Sequence, residues 1–420
     1  MNRLRARLLA VVVACCTAAV LAAPAQAAEN TGWSTLNRIT TNAQWDAGYP
    51  HGVKWSRGTL SIDRPVSRTT FQGVTYSYAF WTSPWVSPGR RFTQLIPSWT
   101  AKTPPGTWLH VLVRVRTADG RSSRFKDLGR WSTSDQAFHR GSAGGQSDSI
   151  ARVATDTLVS TGPVFTRYQF RLKLLRRNGL DGRRAVTWSP TVRSLQAVVS
   201  RLPASFPATS RPLSTSPVLL RVPRYSQMIH EGQNPQYGGG GEAWCSPTSL
   251  AMVLSWFGKR PPSTSYSWVP STWQDRFVNH VARLTYDYRY EGTGNWPFNT
   301  GLASSWIGDS FVTRLPDLRT AERFVRAGIP VIASVAFGRG ELTGAPISAT
   351  NGHLLVIVGF TARGNVIVND PAAPTNAGVR RTYDRAQFER AWLDGSGGLS
   401  YVLHDREHPL PKRPAGVRAW

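Results

Sequence analysis

Glu242-Ala243-Trp244-Cys245-Ser246-Pro247-Thr248-Ser249-Leu250 is the stretch on which the reading of this chain turns. Ser246 and Pro247 open a helix whose apolar residues fall at Leu250, Val253, Leu254 and Phe257, and Gly258 closes it. Pro247 suits the first helical turn, where its missing N–H is not needed. Cys245 stands just ahead of that turn. Unpaired N–H groups and the helix dipole favour an anion there, so the thiol pKa should fall. The other two cysteines, Cys15 and Cys16, lie in the apolar N-terminal stretch. Once that stretch is removed, Cys245 is alone and cannot form an internal disulfide. It is then either an inert core residue or a nucleophile.

A thiolate nucleophile needs a proton-transfer partner, and the partner needs an orienting group. His353 opens the run Gly-His-Leu-Leu-Val-Ile-Val-Gly-Phe, and Asp370 closes Asn-Val-Ile-Val-Asn-Asp-Pro. Both runs read as strands. If they pair as a hairpin around residues 361–364, Phe360 faces Asn365 and Asp370 faces Leu355. Asp370 then lies diagonal to His353 on one face. Gln227, in Val222-Pro-Arg-Tyr-Ser-Gln227, is a candidate donor to an oxyanion. Gln233 and Gln236 also lie upstream of the cysteine.

In this order the motifs resemble the papain-like cysteine peptidases of family thirty-nine, in their broad peptidase-like branch. They are Val-Pro-x-x-Ser-Gln, Trp-Cys-x-Pro-Thr-Ser-Leu-Ala-Met-Val-Leu, Gly-His before a strand ending Val-Gly-Phe, and Asn-Asp-Pro. The resemblance covers about residues 222–404. It implies a papain-like α+β fold, with Cys245 as nucleophile, His353 as base, Asp370 as orienter and Gln227 in the oxyanion hole. Founding members trim double-glycine leaders and are fused to transport ATPases. Here Gln227 lies 18 positions before Cys245 (245 − 227), and no phosphate-binding loop follows. Thiol-based amide hydrolysis is implied, and leader trimming is not. More loosely, the N-terminal half resembles domains paired with this module in secreted actinobacterial proteins.

Residues 203–217, with four prolines and no apolar periodicity, read as an extended linker between two domains. Before it, residues 28–202 read as an all-β domain. Leu109, Val111, Val113 and Val115 alternate with His110, Leu112, Arg114 and Arg116, and Tyr168, Phe170, Leu172 and Leu174 alternate with Gln169, Arg171 and Lys173. The expected architecture is an antiparallel sandwich of jelly-roll type with a cationic outer face through Arg114, Arg116, Arg171 and Lys173. Trp81, Trp85, Trp99, Trp108 and Trp131 are either core or sugar-stacking residues. Residues 218–408 form the second domain, with a helix over 318–327 and strands over 330–337, 353–360 and 365–370. Residues 409–420 read as a C-terminal tail.

At the N-terminus, Arg3, Arg5 and Arg7 precede an apolar run, and Ala25-Gln26-Ala27 is a small-residue cleavage site. Residues 1–27 therefore read as a secretory signal, and the mature chain is expected outside the cell, in solution or associated with the cell wall. A lipid-attachment reading at Cys15 is weaker, because the apolar run continues past it. No later stretch is long enough for a membrane span.

Charge is uneven. Residues 28–201 carry 25 Lys and Arg against 9 Asp and Glu, a net of +16, and residues 202–420 carry 22 against 15, a net of +7. Such a surface attracts an anionic cell-wall polymer or glycan, or reflects an arginine-rich composition. No specific nucleic-acid-binding signature is present. Without His-Glu-x-x-His or clustered Cys and His, no catalytic metal and no cofactor are expected. The tetraglycine run 238–241 lacks a following Gly-Lys-Ser/Thr and is expected to form a flexible lip of the cleft. Trp244, Asn295 and Trp296 are candidate subsite residues. The residues leave alternatives open: a peptidoglycan amidase or transpeptidase, a cell-wall-binding protein with a degenerate peptidase domain, or an N-terminal half that serves as an inhibitory pro-region.

Overall fold

Alternation along the strand Thr107–Thr117 places Leu109, Val111, Val113 and Val115 fully inside, with His110, Arg114 and Arg116 half-buried on the other face. The structure, a computed structural model, describes residues 32–420 apart from 182, 183 and 207. The expected signal segment lies outside the described residues. Thr107–Thr117 pairs with Phe165–Arg177, where Tyr168, Phe170, Leu172 and Leu174 turn inward. These two strands centre a six-stranded antiparallel sheet. A seven-stranded sheet, centred on Gln94–Lys102 and Thr191–Arg201, shares one core with it.

Four of the five tryptophans considered for sugar stacking, Trp81, Trp99, Trp108 and Trp131, are buried. Their large apolar surface goes to the core. Trp85 remains partly exposed, and the guanidinium groups of Arg114 and Arg116 lie 4.9 and 4.5 Å from its ring centroid. Arg171 covers Phe125 and Lys173 covers Tyr78. The expected cationic face is there, with its charges set on aromatic rings.

The C-terminal half is built on a third antiparallel sheet. Its strand order is Asp309–Arg314, Leu399–His404, Val331–Phe337, Thr350–Phe360, Val366–Asn369, Arg380–Tyr383, with Val218–Leu219 added along Thr350–Phe360. The helix Cys245–Trp256 packs on this sheet, and Ser249 Oγ donates to the Leu354 carbonyl at 3.0 Å. The helices Arg276–Thr285, Trp296–Ile307, Leu318–Arg326 and Arg385–Ser396 complete the domain. Among the described residues, no helix is long and apolar enough to cross a membrane.

The connecting segment is docked rather than free. Ser210 donates its N–H and hydroxyl to Glu389, and the Leu213 N–H donates to Glu322. Residues 409–420 are likewise packed. The Leu36 N–H donates to the Arg418 carbonyl at 2.8 Å, and Trp420 stacks edge-on against Phe324.

The two halves are fused through the helix Trp296–Ile307. Phe298 is buried in the core of the N-terminal sheets. A side chain at Gly301 would sit 2.8 Å from Trp99 Nε1, so glycine permits the close approach. In return, Leu36, Ile96 and Val198 belong to the C-terminal core. Arg140 is fully buried and donates to the carbonyls of Arg283 and Tyr286. Asp135 accepts two hydrogen bonds from Arg283 at 2.8 and 2.9 Å. Shared cores and buried charge of this kind make one body of the two domains.

Candidate active site

Cys245 is the first residue of its helix, and it is partly exposed. As a first helical residue it has an N–H that no helix carbonyl can accept. The preceding tetraglycine run has a structural reason. Gly238, Gly239 and Gly240 have φ of 81°, 96° and 130°. A side chain at Gly241 would sit 2.4 Å from the Gln227 carbonyl oxygen. Only glycine accepts both demands, and the run presses the Gln227 segment against the start of the cysteine helix.

His353 lies in the strand Thr350–Phe360, opposite Val335. The neighbouring strand meets it in a register that differs from expectation at the turn. Phe360 pairs with Val366, one residue later than Asn365. A bulge between Ile357 and Gly359 absorbs the difference, so that Val356 pairs with Asn369 and the following Asp370 reaches the level of Leu355. His353 Nε2 and Asp370 Oδ1 are 2.8 Å apart. The other ring nitrogen, Nδ1, is left for the sulphur of Cys245.

Asp370 is held from three sides. Tyr383 donates its hydroxyl to Oδ2 at 2.7 Å, the Ala372 N–H donates to Oδ1 at 3.0 Å, and His353 occupies the remaining side. Burial raises its pKa, but the His353 charge and these hydrogen bonds hold it below the ordinary carboxylate value. Burial works against a charged His353, yet Asp370 and the Cys245 sulphur raise its pKa well above the ordinary imidazole value. Burial also raises the Cys245 thiol. The His353 hydrogen bond and charge, with the N–H groups of Leu354 and Ser246, bring it below its ordinary value. The arrangement favours a thiolate–imidazolium pair backed by a carboxylate.

Gln227 is buried and lines the same cleft as Cys245 and His353. Its N–H donates to the Pro371 carbonyl at 2.8 Å, which ties it to the aspartate turn. Its side-chain Nε2 donates to the Glu242 carbonyl at 2.7 Å, leaving a second N–H available. Gln233 is engaged elsewhere, with His230 and Asn279.

Of the three candidate subsite residues, only Trp296 lines the cleft. Trp244 is fully buried, and its indole N–H donates to the Tyr237 carbonyl at 2.7 Å. Asn295 is a helix N-cap: its Oδ1 accepts from the Phe298 N–H, and its Nδ2 donates to Asp287. Both side chains satisfy the protein's own polar groups, so they do not reach a ligand. The sequence reading missed Tyr383 and the hairpin of residues 151–160. Asp156 and Thr157 from that hairpin line the cleft.

Residues 35–200 match the peptidase C39 N-terminal domain, and residues 219–398 match the peptidase C39 like family. The C-terminal domain is therefore a C39-like peptidase domain, and membership suggests cysteine peptidase activity on a peptide substrate. No curated protein matches the chain. Among solved structures, one assigned as a C39-like peptidase from Bacillus anthracis is similar at 16% identity and a TM-score of 0.31, over 46% of this chain and 98% of that one. A structure of infectious bursal disease virus Gt strain follows at 12% identity and a TM-score of 0.19, over 40% of this chain and 32% of that one. TM-scores this low do not establish a shared fold.

Proposed function

We propose that this chain is an exported cysteine hydrolase that cleaves amide bonds, with Cys245 as nucleophile, His353 as acid and base, Asp370 as its positioning residue and Gln227 as oxyanion donor. One observation carries the reading: His353 stands between a cleft-lining thiol and a carboxylate 2.8 Å from its Nε2. The Cys245 sulphur attacks the carbonyl carbon, and a C–S bond forms as the carbonyl π pair moves to oxygen. The Cys245 N–H and the free Gln227 N–H stabilise that oxyanion. Collapse breaks the C–N bond, and the His353 imidazolium gives its proton to the departing amine. A thioester remains. His353, now neutral, takes a proton from water, hydroxide adds to the thioester carbon, and the thiolate leaves.

We read residues 218–408 as papain-like, since a helix headed by the cysteine packs on the sheet that carries the histidine. Residues 28–202 we read as a sandwich of jelly-roll type, supported by two antiparallel sheets on one core. Export rests on the N-terminal sequence, and sequencing the mature N-terminus tests it. Salt-releasable binding to purified anionic cell wall tests a role for the basic sheet face.

Mass spectrometry of the protein incubated with a peptide library tests the chemistry. A Cys245-linked acyl adduct and cleaved peptides are expected, both absent from Cys245→Ala. Neither adduct nor cleavage would overturn the reading.

A further inference from the structure

Across the chain, 50 basic residues outnumber 24 acidic ones. The catalytic cleft reverses this balance. A space of about 1050 Å³, it is lined by Glu242, Glu291 and Asp394, and by Asp156, whose carboxyl burial pushes up to about 7, against Arg314 and the His353 imidazolium. Arg314 is buried and engaged: Nη2 donates to Gln94 Oε1 at 2.8 Å, and Nη1 donates to the Ser396 carbonyl. Glu242, Glu291 and Asp394 are exposed, and none forms an ion pair among the described residues. A second observation marks the same cleft as a binding site. Gln227 is 4% exposed and lines it, and its Oε1 has no hydrogen-bond partner among the described residues. That acceptor would be satisfied by an N–H from a peptide ligand of either charge.

The N-terminal domain helps to shape this site. Its hairpin of residues 151–160 places Thr155 and Asp156 on the cleft lining. Thr155 has φ of 53°, a left-handed conformation that a β-branched residue rarely adopts. The tip is fixed by the Trp296 N–H, which donates to Asp156 Oδ2 at 2.7 Å. Positive φ is what a two-residue turn between Ala154 and Thr157 demands, so the hairpin carries its tip to the cleft in a fixed shape.

We propose that this cleft, walled by both domains, selects a cationic peptide segment, with Lys or Arg side chains or a free amine beside the bond to be cut. Cleavage of that segment rests on the cysteine-hydrolase reading, and its binding does not. Carboxylates in a cleft with low-dielectric walls focus their field there, while the positive outer surface gives no such preference.

Protection of Cys245 in the full chain from iodoacetamide tests this with three peptides of one length, flanked by Lys, Gln or Glu. The Lys-flanked peptide should protect at a concentration at least about tenfold lower than the Glu-flanked one. Raising salt from about 0.05 to about 0.5 M should shrink the difference. Glu291→Gln with Asp394→Asn should reduce it, with Glu242 left to carry the remainder. Fluorescence anisotropy of the same peptides, compared between the chain and that double variant, gives the same reading without the thiol. Equal binding of all three peptides, no binding, or a Glu preference within the cleft would overturn the proposal. Lys-selective binding without acyl-enzyme or cleavage would instead overturn the hydrolase reading alone.

Discussion

Asp156 Oδ2 accepts the main-chain N–H of Trp296 at 2.7 Å, tying a hairpin tip of the N-terminal domain to the first turn of a helix in the C-terminal domain. Burial pushes the Asp156 carboxyl up to about 7, against the hydrogen bonds from Trp296 and Thr157. For an acid raised in this way, the folded state keeps a proton that the unfolded state releases. Stability is therefore greatest below the ordinary value of 3.8 and falls as pH rises to about 7. Asp156→Asn keeps an acceptor for the Trp296 N–H and removes the buried charge. It should melt no lower than the unmodified chain at pH 8 and lose the pH dependence. Asp156→Ala leaves the N–H unpaired and should cost about 1–3 kcal/mol. Thermal unfolding at pH 5 and pH 8 checks both.

The N-terminal domain is expected to be indispensable for folding, which argues against a removable pro-region. Phe298 lies in the N-terminal core, and Leu36, Ile96 and Val198 lie in the C-terminal one. Phe298→Ala should destabilise the whole chain by about 3–5 kcal/mol. Residues 218–420 expressed alone should aggregate or unfold, as seen by circular dichroism and size-exclusion chromatography. A monomeric, more active fragment would support the pro-region instead.

Glutamine substitutions separate chemistry from scaffold. Gln227→Ala should lower the rate on the order of 10²–10³-fold with little change in melting. Gln233 Oε1 accepts from Asn279 Nδ2 at 3.0 Å, away from the cleft. Gln233→Ala should lower the melting temperature and leave kcat nearly intact. The reverse pattern in steady-state kinetics would reassign the oxyanion donor.

The sequence made some of this legible and not the rest. Period-2 alternation at Leu109–Val111–Val113–Val115 reports a one-sided buried strand directly. Cys245 and Asp370 stand at the ends of elements that the sequence marks, whereas His353 lies three residues inside a strand that begins at Thr350. The helix Arg276–Thr285 was not read. Asp275 precedes it as an N-cap residue type, but it has φ of 48° and makes no side-chain cap, and the buried stripe Phe277, Val278 and Val281 is short. The helix Trp296–Ile307 is buried against both domains and lacks a polar face. Its start signal is Asn295 followed by Pro297, where the sequence reading places Asn295 and Trp296 in a subsite. The partnership of Tyr383 with Asp370 and the hairpin at Asp156 depend on tertiary placement, which no local pattern carries.

Asp370 and Tyr383 should have graded effects. Asp370→Asn removes the charge that supports a protonated His353, so the rate should fall by less than in Cys245→Ala, with the fold kept. Tyr383→Phe removes one of the hydrogen bonds that hold Asp370 below the ordinary carboxylate value, and should lower the rate by a smaller factor still. Stability from Asp370 is present above the ordinary carboxylate value and lost as pH falls through its depressed one. Tyr383→Phe should therefore bring acid unfolding to a higher pH, measured by fluorescence.

Iodoacetamide labelling of Cys245 against pH, in the native chain and in His353→Ala, tests the thiolate–imidazolium pair most directly. Labelling should rise with a midpoint below the ordinary thiol value of 9.0, because the lowered pKa populates the thiolate at neutral pH. His353→Ala should move the midpoint upward. A native midpoint at or above the ordinary value, unmoved by His353→Ala, would contradict Cys245 as an activated nucleophile.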